Sequence, residues 1–225
     1  MNTVKPRPFT QHTVLPGLAI LCFIALLAMP VAVFAQQSAA QDNTHFALNL
    51  GAHTWPALAD LESSFEGAFD KVGFDIDMGI HLGDPQEDRW LWGIDFGLFF
   101  TQGDISGQVT SLDARGLYLV PSVKMPVGDK QRFYLDAGLG LYMVDFAELD
   151  CGSYSPCLEV NEAWQSTTLG GYIGASMDLP MGDGRYFLTT ALRMHYANFG
   201  TPDGLGPSPG ELNGPIFMFL IGIGM

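Results

Sequence analysis

The feature of this sequence that most limits its fold is a period-two alternation of apolar residues with small or polar residues, repeated to the C-terminus. The clearest segment sets Val72, Phe74, Ile76, Met78, Ile80 and Leu82 against Gly73, Asp75, Asp77, Gly79 and His81. Such alternation places the two sets on opposite faces of a β-strand. Eight segments of this kind follow one another, so the sequence predicts an all-β chain of eight strands.

The connections between these segments alternate in length. The short ones are Gly83–Asp88, Pro126–Gln131 and Pro180–Gly184, and the longer ones are Thr54–Phe69, Thr101–Thr110, Phe146–Gln165 and Ala197–Gly214. Short turns on one side and longer loops on the other are typical of an up-and-down barrel that spans a membrane. We therefore predict a transmembrane antiparallel β-barrel of eight strands. The alternation does not decide which residues of the fourth strand lie on its apolar side, because Leu117 and Leu119 compete with Tyr118 and Val120 for it.

The composition of the two rows indicates which row faces outward. A soluble barrel of the lipocalin kind would turn its apolar row inward and expose the other row to water. Here the other row is rich in Gly, Asp, Ser and Tyr, which suits the crowded interior of a narrow barrel. We expect the apolar rows to face lipid. Four aromatic residues at strand starts are expected to form an interfacial girdle, namely Phe46, Trp90, Phe133 and Tyr186.

The N-terminus has the organisation of a secretory signal peptide. Lys5 and Arg7 precede the apolar run Val14–Val33, and Val33-Phe34-Ala35 provides a cleavage site before Gln36. The alternative is a permanent membrane anchor, since the apolar run is just long enough to span a bilayer. We predict a signal peptide over 1–35 and one barrel domain over 36–225.

Charge excludes one class of partner. The chain has 24 acidic residues against 10 basic ones, and two of the basic residues belong to the leader. Nucleic-acid binding requires basic patches, so nucleic acid is not expected as a partner.

The two cysteines of the predicted mature chain, Cys151 and Cys157, lie six positions apart in a long connection. An even number of cysteines in an exported protein favours a disulfide bond, which we predict here. A metal site is the alternative, but it needs further ligands and no histidine is nearby in the sequence. No cofactor motif is present, because the Gly-x-Gly pairs follow from strand alternation.

Two segments carry a family resemblance. The terminal strand Phe-Met-Phe-Leu-Ile-Gly-Ile-Gly-Met and the segment Tyr-Leu-Asp-Ala-Gly-Leu-Gly-Leu-Tyr resemble the small OmpA/OmpX-type outer-membrane β-barrel domains. The resemblance implies an eight-stranded barrel in a Gram-negative outer membrane, in contact with lipid and lipopolysaccharide. It also implies that the C-terminal strand engages the barrel assembly machinery, although Met225 stands where those families usually end in an aromatic residue.

A second resemblance concerns catalysis. His195-Tyr196-Ala197-Asn198-Phe199-Gly200 is similar to a motif of the lipid A 3-O-deacylase barrels, where a serine nucleophile follows the histidine base. Ala197 occupies the serine position and has no hydroxyl, and Glu211 is only a loose match to that family's glutamate. The alternative is that His195 and Arg193 are ordinary lumen or rim residues. We therefore expect no enzyme of this type, with His195 near the barrel rim.

The inward rows also contain several carboxylates. Asp75, Asp77, Asp95 and Asp136 fall on these rows, together with Arg193 and, we expect, Arg115. Buried carboxylates need partners or protons. A catalytic pair or a cation site would look similar in sequence, but we predict a structural ion network in the lumen.

Three classes of function remain: a structural or surface-interaction protein, a lipid-modifying enzyme and a small pore. Eight strands leave an interior that side chains can fill, which counts against an open channel. The connection around the cysteines is acidic, with Glu148, Asp150, Glu159 and Glu162. These carboxylates could reach lipopolysaccharide phosphates through divalent cations, or could simply be solvated. We expect a structural or surface-interaction role in which the barrel anchors acidic external loops.

Overall fold

A computed structural model describes residues 44–58, 67–70, 72–83, 90–105, 110–128, 132–150, 158–182, 185–202 and 211–225. The predicted signal peptide and both Cys151 and Cys157 lie outside these ranges, so the predictions on cleavage and on the disulfide stay predictions. Among the described residues, no helix has the length and apolar character that crossing a membrane requires.

The described chain is a sequence of strands. They are β1 Thr44–Thr54, β2 Gly67–Phe69, β3 Gly73–Leu82, β4 Leu91–Thr101, β5 Gly103–Ile105, β6 Thr110–Val127, β7 Phe133–Asp150, β8 Leu158–Met181, β9 Tyr186–Asn198 and β10 Asn213–Gly224. The eight long strands pair antiparallel with their neighbours in the order β1-β3-β4-β6-β7-β8-β9-β10, and β10 pairs with β1. The prediction of a closed eight-stranded barrel is confirmed. The short strands β2 and β5 extend the sheet beside β6.

The barrel closes where its two chain ends meet. In the ladder between β1 and β10, the Phe46 amide donates to the Met225 carbonyl at 2.8 Å, and the Met225 amide donates to the Phe46 carbonyl at 2.9 Å. This end of the barrel also carries the three short connections, after β3, β6 and β8. The other end carries the remaining connections, including those that contain β2 and β5. We call these the short-turn end and the long-loop end.

The apolar rows face outward, as predicted. Large apolar side chains are exposed on the outer surface of all eight long strands, and among the most exposed are Leu139 and Leu169, each 71%, and Trp92, 62%. Water would oppose so large an exposed apolar surface, whereas lipid accommodates it. Trp90, Phe133 and Tyr186 are exposed at the short-turn end, where an interfacial aromatic girdle would lie. The fold is that of a transmembrane β-barrel.

In strand β6 the row of Leu117 and Leu119 takes the outer, apolar side, with Leu119 exposed, whereas Tyr118 and Val120 are buried in the lumen. Arg115 belongs to the same outward row as Leu119, and its Cα lies opposite those of Phe100 and Asp145. The prediction that Arg115 lies in the lumen is therefore wrong. The cause is that both rows of β6 contain apolar residues, so alternation alone could not fix the phase.

The predicted loop Phe146–Gln165 is largely strand. Strands β7 and β8 remain paired to Asp150 and Leu158, with register shifts after Phe146 and after Glu148. The outward row of β7 is apolar from Phe133 to Met143, which matches the ~9–11 residues that a tilted strand needs to cross a bilayer. The described residues beyond it, 145–150 on β7 and 158–165 on β8, therefore extend past the apolar band. We call this part the outer hairpin.

Candidate functional site: the barrel lumen and its outer groove

The centre of the lumen is organised around Arg193 of β9. Its Nη1 lies 2.9 Å from Oδ2 of Asp77, and its Nη2 lies 3.5 Å from Oδ1 of Asp95. All three side chains are almost completely buried. A guanidinium with two carboxylates satisfies the requirement that buried charges be paired. Asp77, Asp95 and Arg193 are thus brought together, as the sequence analysis expected.

Tyrosine and amide groups complete the bonding of the two carboxylates. The Tyr118 hydroxyl donates to Asp77 at 2.7 Å, and the Asn49 amide donates to its other oxygen at 2.8 Å. The Tyr172 hydroxyl donates to Asp95, and the Arg193 guanidinium lies over the Tyr172 ring, 4.7 Å from its centroid. We call this set, with Arg193, Asp77 and Asp95, the central network. It ties together β1, β3, β4, β6, β8 and β9.

A glycine makes room for this network. A Cβ on Gly97 would come within 2.2 Å of Cζ of Tyr118, the end of the ring whose hydroxyl reaches Asp77. Gly97 of β4 lies opposite both Asp77 and Tyr118 in the sheet. The glycine-rich inner row is therefore a spatial requirement of the bulky tyrosines that fill the lumen.

His195 lies deep in the lumen rather than at the rim, which corrects its predicted position. It is fully buried, and its Nδ1 lies 2.9 Å from the Tyr142 hydroxyl. Its ring stacks on Tyr172 with centroids 4.9 Å apart and lies 4.8 Å from the Tyr118 ring. Ala197, at the motif's serine position, is buried and provides no hydroxyl. His195 therefore packs against tyrosines.

Asp136 belongs to a separate group at the short-turn end. It accepts a hydrogen bond from Ser176 at 3.0 Å, and its Cα lies opposite that of Lys124 on β6. Lys124 is itself buried, and its ammonium lies 5.9 Å from the centroid of the Tyr134 ring. Asp178 and His45 are nearby, 3.8 Å apart. The cation beside Asp136 is thus Lys124, which the sequence analysis did not single out.

Asp75 forms a third group at the long-loop end. Its Oδ1 lies 2.7 Å from Nδ1 of His53, and Nε2 of His53 lies 2.7 Å from Oγ1 of Thr101. One ring nitrogen of His53 thus faces the carboxylate and the other faces the Thr101 hydroxyl. The expected contact between Asp75 and an arginine is replaced by this hydroxyl, imidazole and carboxylate series.

Apolar side chains fill the lumen at the long-loop end beyond these groups. This apolar cap consists of Trp55, Leu58, Phe69, Phe99, Phe146, Phe199 and Leu212, all buried in one cluster. Trp55 packs edge-on against Phe99 with ring centroids 5.9 Å apart, and its ring is tilted against that of Phe199 at 5.6 Å. Within the part of the chain that the structure describes, the lumen is packed from the cap through the central network.

A groove opens on the outer surface at the long-loop end. Its volume is about 370 Å³, and its lining is Asp70, Val72, Gly73, Phe74, Phe100, Thr101, Gln102, Asp113, Ala114 and Arg115. Phe74 and Phe100 are cross-strand neighbours on the outer face, at the edge of the apolar band nearest the long-loop end. Arg115 is the cationic side chain of this lining. Thr101 therefore belongs both to the series with His53 and to the lining of the groove.

Neither a metal nor a cofactor site is evident in the described ranges. No cluster of three or more His, Cys, Asp or Glu side chains is placed there to hold a metal ion. His53, His81 and Lys124 were not predicted as members of the lumen network, although each lies on an inward row. Strand register could have identified His53, because the topology brings the ends of the strands that carry His53 and Thr101 together at the long-loop end.

Closure of the sheet, the outward apolar rows and the polar lumen define a small transmembrane β-barrel protein. No protein-family model matches the chain. No curated protein matches its sequence.

Solved structures similar to this chain include bacterial outer-membrane barrels at low sequence identity. Ail of Yersinia pestis, solved with the heparin analogue sucrose octasulfate, is 10% identical with a TM-score of 0.43, covering 81% of this chain and 97% of Ail. Neisserial surface protein A is 11% identical with a TM-score of 0.43, covering 82% and 97%. The outer membrane protein OprG of Pseudomonas aeruginosa is 14% identical with a TM-score of 0.38, covering 80% and 94%. Likeness at this level carries no conclusion about binding or activity.

Proposed function

We propose that this protein is an integral protein of a Gram-negative outer membrane with a structural or surface-interaction role. The observation that carries the proposal is the outer hairpin, which continues β7 and β8 past the apolar band. A barrel whose interior is packed has its accessible surface at its two ends and along its lipid face. Among the described residues, the hairpin is the longest paired extension at the long-loop end, and we propose that it is the part available to a partner.

The charge of the outer hairpin indicates the partner's chemistry. Asp145, Glu148, Asp150, Glu159 and Glu162 are acidic, and the segment 145–165 contains no lysine or arginine. A patch of one sign attracts opposite charge over the ~8 Å Debye length of physiological salt. We propose that the hairpin contacts either a cationic surface or lipopolysaccharide phosphates bridged by divalent cations.

The packed lumen argues against a small pore. Arg193 with Asp77 and Asp95, the tyrosines around His195 and the apolar cap occupy successive levels of the interior. An ion would need to displace paired buried charges in order to pass. We propose that the protein in a planar lipid bilayer conducts no steady current, and sustained unitary steps would contradict this.

His195 does not support lipid A deacylation of the family type. A base must reach a nucleophile within ~2.6–3.2 Å, and the hydroxyl at that distance from His195 belongs to the buried Tyr142. We propose that lipid A incubated with the refolded protein loses no acyl chain through His195. Loss of an acyl chain that His195→Ala abolishes, measured by mass spectrometry of the lipid, would contradict this.

The C-terminal strand β10 supports a proposed contact with the barrel assembly machinery. Its outward row is apolar to the last residue, with Phe217, Phe219, Ile221, Ile223 and Met225. Export of the barrel through an N-terminal signal peptide over 1–35 is part of the same proposal. Mass spectrometry of the purified protein should find a mature N-terminus near Gln36.

The orientation is tested by protease treatment of intact cells. We expect cleavage within residues 146–165, because the outer hairpin faces the medium. Cuts confined to Pro126–Gln131 would mean that the barrel is inserted the other way round. Cell lysis before treatment provides the control, since the short-turn end then becomes accessible.

The proposed role of the hairpin charge is tested by neutralisation. Glu148, Asp150, Glu159 and Glu162 are changed together to Gln or Asn, and binding of intact cells to a cationic surface is measured with and without Mg²⁺. We expect weaker binding than wild type. The matched control neutralises Asp84, Glu87 and Asp88, which lie in a short connection. Equal binding by both variants would contradict the proposal.

A further inference from the structure

The groove of the outer face opens where the apolar band ends on the long-loop side. Its volume is about 370 Å³, and it lies on the surface that faces the membrane. Phe74, Phe100 and Arg115 follow one another across β3, β4 and β6, since the Cα of Phe100 lies opposite those of Phe74 and Arg115. Two aromatic rings and a guanidinium are therefore placed side by side at one level of the barrel wall.

The surroundings of the groove change from apolar to polar along the barrel axis. Toward the short-turn end, the next outward residues of the same three strands are Ile76, Leu98 and Leu117. Toward the long-loop end, the lining includes the polar side chains of Asp70, Gln102 and Asp113. The groove therefore spans the boundary between hydrocarbon and lipid headgroups, where an amphiphile has its chain on one side and its charge on the other.

Arg115 is the one basic side chain that the structure describes on the outer surface of this half of the barrel. Lys124 and Arg193 are buried in the lumen. Arg132 and Arg185 are exposed at the short-turn end. An anionic group that approaches the wall from the outer side of the membrane therefore meets favourable charge at Arg115.

The carboxylates close to Arg115 limit which anion fits. Asp113 lies two positions earlier on the same outward row, and the Cα of Asp145 on β7 lies opposite that of Arg115. A guanidinium has five N–H donors in a planar fork, so it can bind a phosphate while it is shared with a carboxylate. With two carboxylates so near, the charge balance favours a single phosphate over a long polyanion.

We propose that the groove binds one acylated glucosamine phosphate of lipopolysaccharide, with the phosphate on Arg115 and an acyl chain along Phe74 and Phe100. Lipopolysaccharide is the phosphate-bearing lipid of the outer leaflet, so this choice of lipid rests on the orientation proposed above, with the long-loop end outward. The groove volume of about 370 Å³ lies within the ~300–1,000 Å³ of small-molecule sites and exceeds what a phosphate alone fills. The site therefore accommodates a sugar phosphate and the beginning of its chain.

The test titrates the mature protein, refolded in detergent, with lipid A, the acylated glucosamine phosphate part of lipopolysaccharide. Native mass spectrometry counts the bound lipid, and we expect one lipid A per barrel. Arg115→Gln should weaken binding about tenfold, the effect of losing one hydrogen bond between charged groups. Arg132→Gln, at an exposed arginine of the short-turn end, is the matched control and should bind as wild type does. Each variant is first shown to be folded by its heat-dependent shift on electrophoresis.

A second titration uses lipid A from which the phosphate has been removed. Because Arg115 and the phosphate are partners in this site, removing both should weaken binding no more than removing either one. The acyl contact is tested by Phe100→Ala, which should weaken the binding of both lipids. Phe217→Ala, at an exposed phenylalanine of β10 outside the lining, is its control and should have no effect.

Phosphatidylglycerol, which carries its phosphate on glycerol, distinguishes the lipid source. We expect lipid A to bind more tightly than phosphatidylglycerol at the same concentration. The proposal is overturned if lipid A does not bind, if Arg115→Gln binds it as wild type does, if the effects of Arg115 and the phosphate are additive, or if phosphatidylglycerol binds equally well. None of these results affects the protease and neutralisation tests, because binding in detergent depends neither on orientation in the membrane nor on the charges of the outer hairpin.

Discussion

The two faces of strand β3 differ in chemical character, since one is apolar and the other is polar or charged. Its outward row is Phe74, Ile76, Met78, Ile80 and Leu82, and its inward row is Gly73, Asp75, Asp77, Gly79 and His81. In a water-soluble protein the apolar row would form the core. Here lipid takes the place of that core, and the interior holds charges that are acceptable only because Arg193, His53 and tyrosine hydroxyls meet them.

This difference indicates that the inner face constrains the sequence more strongly than the outer face. The outer row needs only to be apolar, so many substitutions among large apolar residues should be tolerated. The inner row must place donors against acceptors at hydrogen-bond distance, since an unpaired buried charge is costly. Single substitutions inside should therefore have large effects, while those outside should matter only when they introduce charge.

The largest effect is expected inside the lumen, at Arg193. Arg193→Ala leaves Asp77 and Asp95 buried without their cation, and breaking a buried pair in this way costs about 3–5 kcal/mol. Urea unfolding of the protein in lipid vesicles should show a correspondingly lower midpoint. Arg132→Ala, at an exposed arginine, should leave the midpoint unchanged. If both variants had equally small effects on the midpoint, either water would fill the lumen or the inward and outward faces would be reversed.

The next effect is expected outside, where charge meets lipid. Leu139 lies at the middle of the apolar row of β7 and is 71% exposed, so Leu139→Arg should cost about 2–4 kcal/mol at the bilayer midplane. The same unfolding assay measures it. Gln165→Arg, on β8 beyond the apolar band, is the control and should be nearly neutral. If Leu139→Arg were also neutral, this face would not contact hydrocarbon.

A smaller effect is expected from filling space inside the lumen. Gly97→Ala puts a methyl group against the end of the Tyr118 ring, which must move away from Asp77. Overpacking of this kind costs about 1–3 kcal/mol. The unfolding midpoint should fall, and Gly97→Ala combined with Tyr118→Phe should lose less than the two single changes added together. If the effects of the two changes on the free energy of unfolding were strictly additive, the contact between residue 97 and Tyr118 would be contradicted.

The sequence was sufficient for the barrel but only partly for its interior. Alternation in β1, β3, β4 and β7 predicted the strands and their faces, because large apolar and small polar residues separate cleanly there. It failed in β6, where Tyr118 is inward through its bond to Asp77, a contact that depends on a strand more than 40 positions away. Arg115 was placed on the wrong face for the same reason.

The candidate sites also differ in whether the sequence could predict them. The pairing of Arg193 with Asp77 and Asp95 could be anticipated, because an isolated inward arginine needs inward carboxylates. The series of Thr101, His53 and Asp75 could not, because it depends on the register of β1 with β3 and of β3 with β4. The outer hairpin was read as a loop because its acidic and polar residues do not alternate in hydrophobicity, although β7 and β8 continue to pair through two register shifts.

The central claim is that the apolar face meets lipid while the interior is closed to it. Tryptophan fluorescence tests this directly, since Trp92 is exposed on the outer face and Trp55 is buried in the apolar cap. Two variants, each retaining only one of these tryptophans, are inserted into vesicles whose acyl chains carry bromine, which quenches fluorescence on contact. We predict strong quenching of Trp92 and little quenching of Trp55. The reverse result, or equal quenching of both, would contradict the account.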